Sequence, residues 1–289
     1  MNPLVLEFAN GNAFFVGMGL TATAFTLRLW LRGRLPVLVL TATWLLGISF
    51  VILSATPMSV WLYGLWFGLC VVLRVASGRP ARGRLNPVLA AVFAVFSLAL
   101  CLAELPYHLT PSIHLAPDQP VYVLGDSLSA GIGRGERLWP DILGDRLGLR
   151  VTNLAKAGAT VQTASSQADG VTASNSLVLI EIGGNDFLGH TDSHTFRAQL
   201  DELLSTLVRR GNRLVMFELP LPPFCNSFGR AQRILAHKHG VILLPKARLT
   251  AVLSIKGNTL DGLHLSQAGH NALANSIGDL LNLESNRKL

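Results

Sequence analysis

The run Val121-Tyr122-Val123-Leu124-Gly125-Asp126-Ser127-Leu128-Ser129-Ala130-Gly131 opens as a short apolar strand and turns on Gly125. It then starts a helix. A serine at that corner stands at the carboxyl end of a strand, beside the positive end of a helix dipole. That is where a hydroxyl nucleophile is well placed. By itself the run is equally well read as a turn with a helix cap. What stands beside it in the folded chain decides between the two.

Downstream, apolar runs alternate with amphipathic stretches. Val121–Leu124, Val151–Leu154, Leu177–Ile182, Leu214–Leu219 and Val241–Leu244 read as strands. Trp139–Leu147, Ser193–Arg210, Phe228–Lys238 and Ser266–Leu283 read as helices. Nearly continuous apolar strands separated by helices predict an α/β domain with a parallel sheet covered on both faces. Such sheets carry their sites at the carboxyl ends of the strands. Polar loops fall there: Gly125-Asp126-Ser127, Asn153 to Gly158, Gly183-Gly184-Asn185-Asp186 and, near the C-terminus, Asp261-Gly262-Leu263-His264.

Together these loops hold what acyl transfer from an ester needs. Ser127 becomes nucleophilic only if a base takes its proton, and His264 can be that base. Asp261, three residues earlier, can fix the imidazole tautomer and stabilise its charged form. The backbone N–H groups of Ser127 and Gly158 and the side-chain amide of Asn185 can serve as oxyanion donors. A glycine at 158 suits a backbone that approaches substrate closely.

With these four blocks in this order, the stretch from about Pro120 to Leu283 resembles the SGNH (GDSL) hydrolase family. Ser127 matches its nucleophile, Gly158 and Asn185 its oxyanion donors, and Asp261 with His264 its DxxH pair. Gly125–Gly131, Leu177–Asp186 and Trp139-Pro140 are most similar to its esterase/thioesterase/lysophospholipase branch. The resemblance implies a flavodoxin-like, three-layer domain with a five-stranded parallel sheet. It also implies a serine hydrolase of ester bonds.

Other residues have plainer readings. Asp126 suits a turn-stabilising role. The cluster His190-Thr191-Asp192-Ser193-His194 reads as a loop beside the cleft rather than a metal site, and no metal or cofactor is expected. His237-Lys238-His239 suits a helix end at the surface. His270 is expected to face solvent. Leu219-Pro220-Leu221-Pro222-Pro223-Phe224 could wall an acyl groove or be a plain loop. Glu181, inside a strand, needs a partner for its carboxyl that the sequence does not name.

Upstream the chain changes character. The 289 residues are 50% hydrophobic and 14% charged, too apolar for an ordinary soluble protein. Residues 1–105 carry seven arginines and two glutamates, whereas the remainder carries 17 basic and 15 acidic groups. The net charge of +7 therefore sits mainly at the flanks of apolar runs, and no basic stripe marks a nucleic-acid surface. Uncharged stretches at Phe8–Leu27, Leu35–Leu73 and Leu85–Ala103 predict four membrane-spanning helices near 10–31, 36–54, 58–76 and 86–105. The turn at Thr56-Pro57 divides the second stretch. Arg28, Arg32, Arg34, Arg74, Arg79, Arg82 and Arg84 flank two of the turns and place these in the cytoplasm, so everything after the fourth span lies outside. Three cysteines, Cys70, Cys101 and Cys225, make no disulfide or metal framework.

The expected organisation is a four-helix transmembrane anchor (1–105), a proline-rich linker (106–119) and an α/β hydrolase domain (120–289). The expected activity is that of an esterase in a bacterial cytoplasmic membrane, its catalytic domain outside. It would act on lipid-derived acyl esters or thioesters, with the bilayer as its other partner. Deacetylation of cell-envelope glycans and acyl transfer use the same triad. A ligand-binding module on an anchor is the reading of a different class. Nothing in the sequence fixes an oligomeric state.

Overall fold

A computed structural model describes residues 3–31, 33–77, 85–116, 118–133 and 135–283. Arg32, Arg79, Arg82 and Arg84 lie outside the described residues. The chain divides into two compact units, one essentially Leu4–Pro106 with Leu221–Asn226, the other built from Tyr107–Pro220 and the residues from Ser227 onward.

The first unit is helical: α1 (Pro3–Ala9), α2 (Asn12–Arg28), α3 (Arg34–Leu53), α4 (Val60–Ser77) and α5 (Leu85–Glu104). Helices occupy all four expected places, but the expectation of four full spans is corrected. Among the described residues, only Arg34–Leu53 and the stretch Pro87–Tyr107 are long and apolar enough to cross a membrane. The other two are cut short. Gly11, at a φ of 84°, breaks α1 from α2, and α2 ends at Arg28 after 17 residues, ~26 Å at 1.5 Å per residue. In α4 the apolar part spans Val60–Ala76. The unit is held by small residues and aromatic rings. A Cβ on Gly17 would lie 2.6 Å from the Gly47 carbonyl oxygen, so glycine lets α2 and α3 touch backbone to backbone. Phe93 packs on Phe25 and Trp66, and the Trp66 indole donates to Ser97 Oγ at 3.1 Å.

The second unit is α/β. Five parallel strands, β2 (Val121–Gly125), β3 (Val151–Asn153), β4 (Leu177–Glu181), β5 (Arg213–Phe217) and β6 (Ile242–Leu244), stand in the order β3-β2-β4-β5-β6. Counted along this sheet the order is 2-1-3-4-5, the flavodoxin-like winding. β2 and β4 are buried at every position, as strands covered on both faces must be. Their register pairs Val121 with Leu177 and Gly125 with Glu181. The strand order reverses between them, so their carboxyl ends open the crevice where such folds bind ligands.

Helices α6 (Ser127–Ala130), α7 (Trp139–Leu147), α8 (Val161–Ala168), α9 (Gly184–Leu188), α10 (Ser193–Arg209), α11 (Asn226–His239), α12 (Lys246–Ser254) and α13 (Gln267–Gly278) complete the layers. In α10, Phe196, Leu200, Leu203, Leu204 and Leu207 are all buried at helical spacing. Each such side chain contributes roughly 1.5–3 kcal/mol on burial. Asp192 caps α10, its carboxylate accepting from the N–H groups of His194 and Thr195 at 3.0 Å.

Two ends of this unit differ from the sequence reading. The expected tether contains a strand, β1 (Ile113–Leu115), with Ile113 and Leu115 fully buried. It pairs in parallel with β7 (Leu281–Leu283), Ile113 opposite Leu281. The last helix, expected through Leu283, stops at Gly278 to allow this pairing.

Candidate active site

The corner after β2 is tightly built. A Cβ on Gly125 would fall 2.7 Å from Ser129 Oγ and 2.9 Å from the Glu181 carbonyl oxygen, so only glycine lets the chain turn there. The Gln167 amide continues the sheet artificially, accepting from the Gly125 N–H and donating to its carbonyl, both at 2.9 Å. Asp126 caps α6 through the Leu128 N–H at 3.0 Å. Ser127, half-buried, is the first residue of that helix.

His264 Nδ1 and Asp261 Oδ2 are 2.6 Å apart, and the other Asp261 oxygen accepts from the N–H groups of Leu263 (3.0 Å) and His264 (2.8 Å). Gly262, at a φ of 93°, supplies the left-handed residue that bends the loop so that both bonds form. These bonds, the His264 side chain's first, hold the Asp261 carboxyl well below the usual carboxylate range. The acid is therefore ionised across the neutral range, and the bond fixes the ring with Nε2 outward.

The loops after β3 and β4 are tied together. Asp186 Oδ2 accepts from the Val161 N–H at 2.9 Å, and Asn185 Nδ2 donates to the Ala159 carbonyl at 3.0 Å. Gly158, between them, has a φ of 75°, and a Cβ there would meet nothing within 4 Å. The second hydrogen of Asn185 Nδ2 goes to Asp126 Oδ2 at 3.1 Å. An amide in this position must share that hydrogen to receive an oxyanion. Asp186 is buried, which raises its carboxyl above the usual range despite the Val161 bond.

Several partners were not legible in the sequence. Glu181 accepts from Ser129 Oγ at 3.0 Å, and Ser129 Oγ accepts in turn from the Trp139 indole at 3.2 Å. Asn153 Nδ2 donates to the Ser129 carbonyl at 2.8 Å. Sequence spacing gives no hint of any of these, because each joins different strands or loops. His270, expected at the surface, is fully buried. Its Nδ1 accepts from the Trp139 N–H at 3.3 Å, and burial lowers its pKa. His239 and Lys238 both reach Asp201, at 2.5 and 2.7 Å. Phe224, in the loop read as a possible acyl wall, is 73% exposed, and Leu221–Asn226 groups with the helical unit.

Residues 123–272 match the GDSL-like lipase/acylhydrolase family. An arylesterase from Vibrio mimicus is 28% identical over 159 residues, covering 50% of this chain and 80% of that protein. The crystal structure of TesA superposes with a TM-score of 0.50 at 25% identity, over 56% of this chain and 97% of that one. An esterase, EstA, from Pseudoalteromonas sp. shares the fold at a TM-score of 0.50 and 19% identity, over 56% of this chain and 96% of its own. In each case the likeness covers about half of this chain. The matched stretch carries every loop of the site, so the chain belongs to the GDSL-like lipase/acylhydrolase family and is a serine hydrolase of ester bonds.

Proposed function

We propose that Ser127, His264 and Asp261 form the catalytic triad of a membrane-anchored esterase that works on the extracytoplasmic face. The observation that carries this reading is the His264–Asp261 pair at 2.6 Å. Ser127 Oγ attacks the acyl carbon as His264 Nε2 takes its proton. The oxyanion is met by the N–H groups of Ser127 and Gly158 and by Asn185 Nδ2. Collapse expels the alcohol, which takes the proton from His264. Water then attacks the acyl-serine by the same route and releases the acid.

Lipid-derived acyl esters or thioesters are the substrate class favoured here. Ile132, five residues beyond the serine, is 49% exposed, and Leu263, beside the histidine, is 42% exposed. These exposed apolar side chains, close in sequence to the proposed nucleophile and base, suit an acyl chain. The apolar exterior of the helical unit supports the anchor. Only 22% of the α3 window and 28% of the α5 window are buried, far less than in a soluble core helix. Trp30 and Trp61, 79% and 84% exposed, stand near helix ends, where bilayers enrich tryptophan. The orientation rests on the arginine-flanked turns.

The test is hydrolysis of p-nitrophenyl esters of graded chain length by the full chain in membranes. Ser127→Ala should lower kcat at least ~10³-fold, and Asn185→Ala ~10²–10³-fold. Wild-type rates in Ser127→Ala would sink the triad. A sharp preference for acetyl esters would favour glycan deacetylation instead.

A further inference from the structure

Gln167 stands on α8, 2% exposed, and both ends of its amide are spent on one residue. Its Oε1 accepts from the Gly125 N–H and its Nε2 donates to the Gly125 carbonyl, each at 2.9 Å. The reason lies in the length of β3. That strand pairs with Val121, Tyr122 and Val123 and ends at Asn153. Beyond it, the Leu154 N–H still reaches the Val123 carbonyl at 2.9 Å, and the Lys156 N–H reaches the Gly125 carbonyl at 3.1 Å. The Gly125 N–H, buried at the end of β2, is met by a side chain instead of a strand. A buried N–H is costly to leave without an acceptor.

The sheet itself does not depend on this clamp. β2 is paired along its whole length with β4, from Val121 opposite Leu177 to Gly125 opposite Glu181. What Gln167 adds is a link between two pieces of the site. Ser127 follows Gly125 by two residues. At the other end of α8, Gly158 and Ala159 lead into the Thr160 cap. That start is itself fixed, by Asp186 Oδ2 accepting from the Val161 N–H at 2.9 Å and by Asn185 Nδ2 donating to the Ala159 carbonyl at 3.0 Å. The eight residues of α8, ~12 Å at 1.5 Å per residue, thus form a rod with the Gly158 loop at one end and a grip on the nucleophile strand at the other.

We propose that Gln167 is a positioning residue for ester hydrolysis: by clamping both backbone groups of Gly125 it fixes the Ser127 corner against the helix that carries the Gly158 loop, so that the N–H groups of Ser127 and Gly158 meet one oxyanion. The inference rests on the triad and oxyanion reading above and assigns a role to a buried amide that touches no substrate. The two donors belong to separate stretches of chain, and a misplacement of about 1 Å between such groups can cost ~10²-fold in rate. The donors act on charge that develops in the transition state, so the loss falls on kcat and spares KM.

Two variants test this in the full chain in detergent, with p-nitrophenyl esters as substrate. Gln167→Met keeps the length of the side chain without either bond. It should lower kcat about ten- to a hundredfold with KM within about threefold. Gln167→Glu keeps the acceptor for the Gly125 N–H, but its second oxygen can donate to the Gly125 carbonyl only when protonated. Burial brings that protonation towards neutral pH. Its kcat, divided by that of wild type to remove the titration of His264, should therefore rise at least about threefold as pH falls from 8 to 6. Wild-type kcat in Gln167→Met, a loss carried by KM instead of kcat, or a Gln167→Glu ratio that does not rise as pH falls would each overturn the proposal. The pH series uses only the Glu variant, so it decides even where the Met variant does not fold. Failure of the triad would look different: Ser127→Ala would keep wild-type rates whatever the Gln167 variants do.

Discussion

A buried acid on a strand end changes how the protein responds to pH. The folded protein raises the Glu181 pKa above its free value of 4.5, chiefly by desolvation. The native state therefore holds this proton more tightly than the unfolded chain does. Its favourable contribution is complete below the free value and is lost as pH rises from there through the raised one. Glu181→Gln keeps the contact but cannot ionise. Its stability relative to wild type should grow with pH above 4.5, by up to about 1.4 kcal/mol per pH unit, read from thermal unfolding at several pH values. A difference that is flat with pH would show that Glu181 carries its charge in the fold. Among single residues, Ser127, Asn185 and the Asp261–His264 pair could be proposed from the sequence because each belongs to a short local block. Glu181's partners were not legible, because Ser129 and, through it, Trp139 reach it only once β2, β4 and α7 are packed.

At the scale of elements, α10 shows what a sequence discloses well. Its five buried side chains recur at helical spacing, and Asp192 stops the chain from starting earlier. Leu203→Ala empties a site that is 2% exposed and should cost about 2–5 kcal/mol. Leu188→Ala, in short α9 and 57% exposed, should change the unfolding midpoint little. β2 and β4 were legible because strands buried at every position are largely apolar, whereas β3, only partly buried, is short and carries Thr152 and Asn153. Three helices, α8, α9 and α12, left no clear pattern, being short and partly polar. β1 and β7 were hidden too. Three residues are too few to show a period, and each strand exists only because the other is beside it. α2 and α4 were overestimated, since an uncharged run says where apolar residues are but not where the helix begins or ends.

For the whole molecule, the division into an apolar helical unit and an α/β unit was visible as a change in charge density along the chain. The compartment assigned to the second unit rests on the cytoplasmic placement of the arginine-flanked turns. Alkaline phosphatase fused to the C-terminus should be active in intact bacteria, because that enzyme matures only outside the cytoplasm. Activity confined to a cytoplasmic reporter at the same position would reverse the orientation.

The pairing of β1 with β7 has a consequence for biosynthesis. Ile113 leaves the ribosome long before Leu281, its register partner. The buried face of β1 has no strand partner until β7 has been made. Closure of this unit is therefore a late event: the five-stranded sheet can assemble during synthesis, but the β1–β7 clasp forms only after β7, which follows every strand of that sheet, has emerged. A stall in synthesis before β7 would leave Ile113 and Leu115 without that partner, a surface that chaperones and proteases could read as a sign of an unfinished chain.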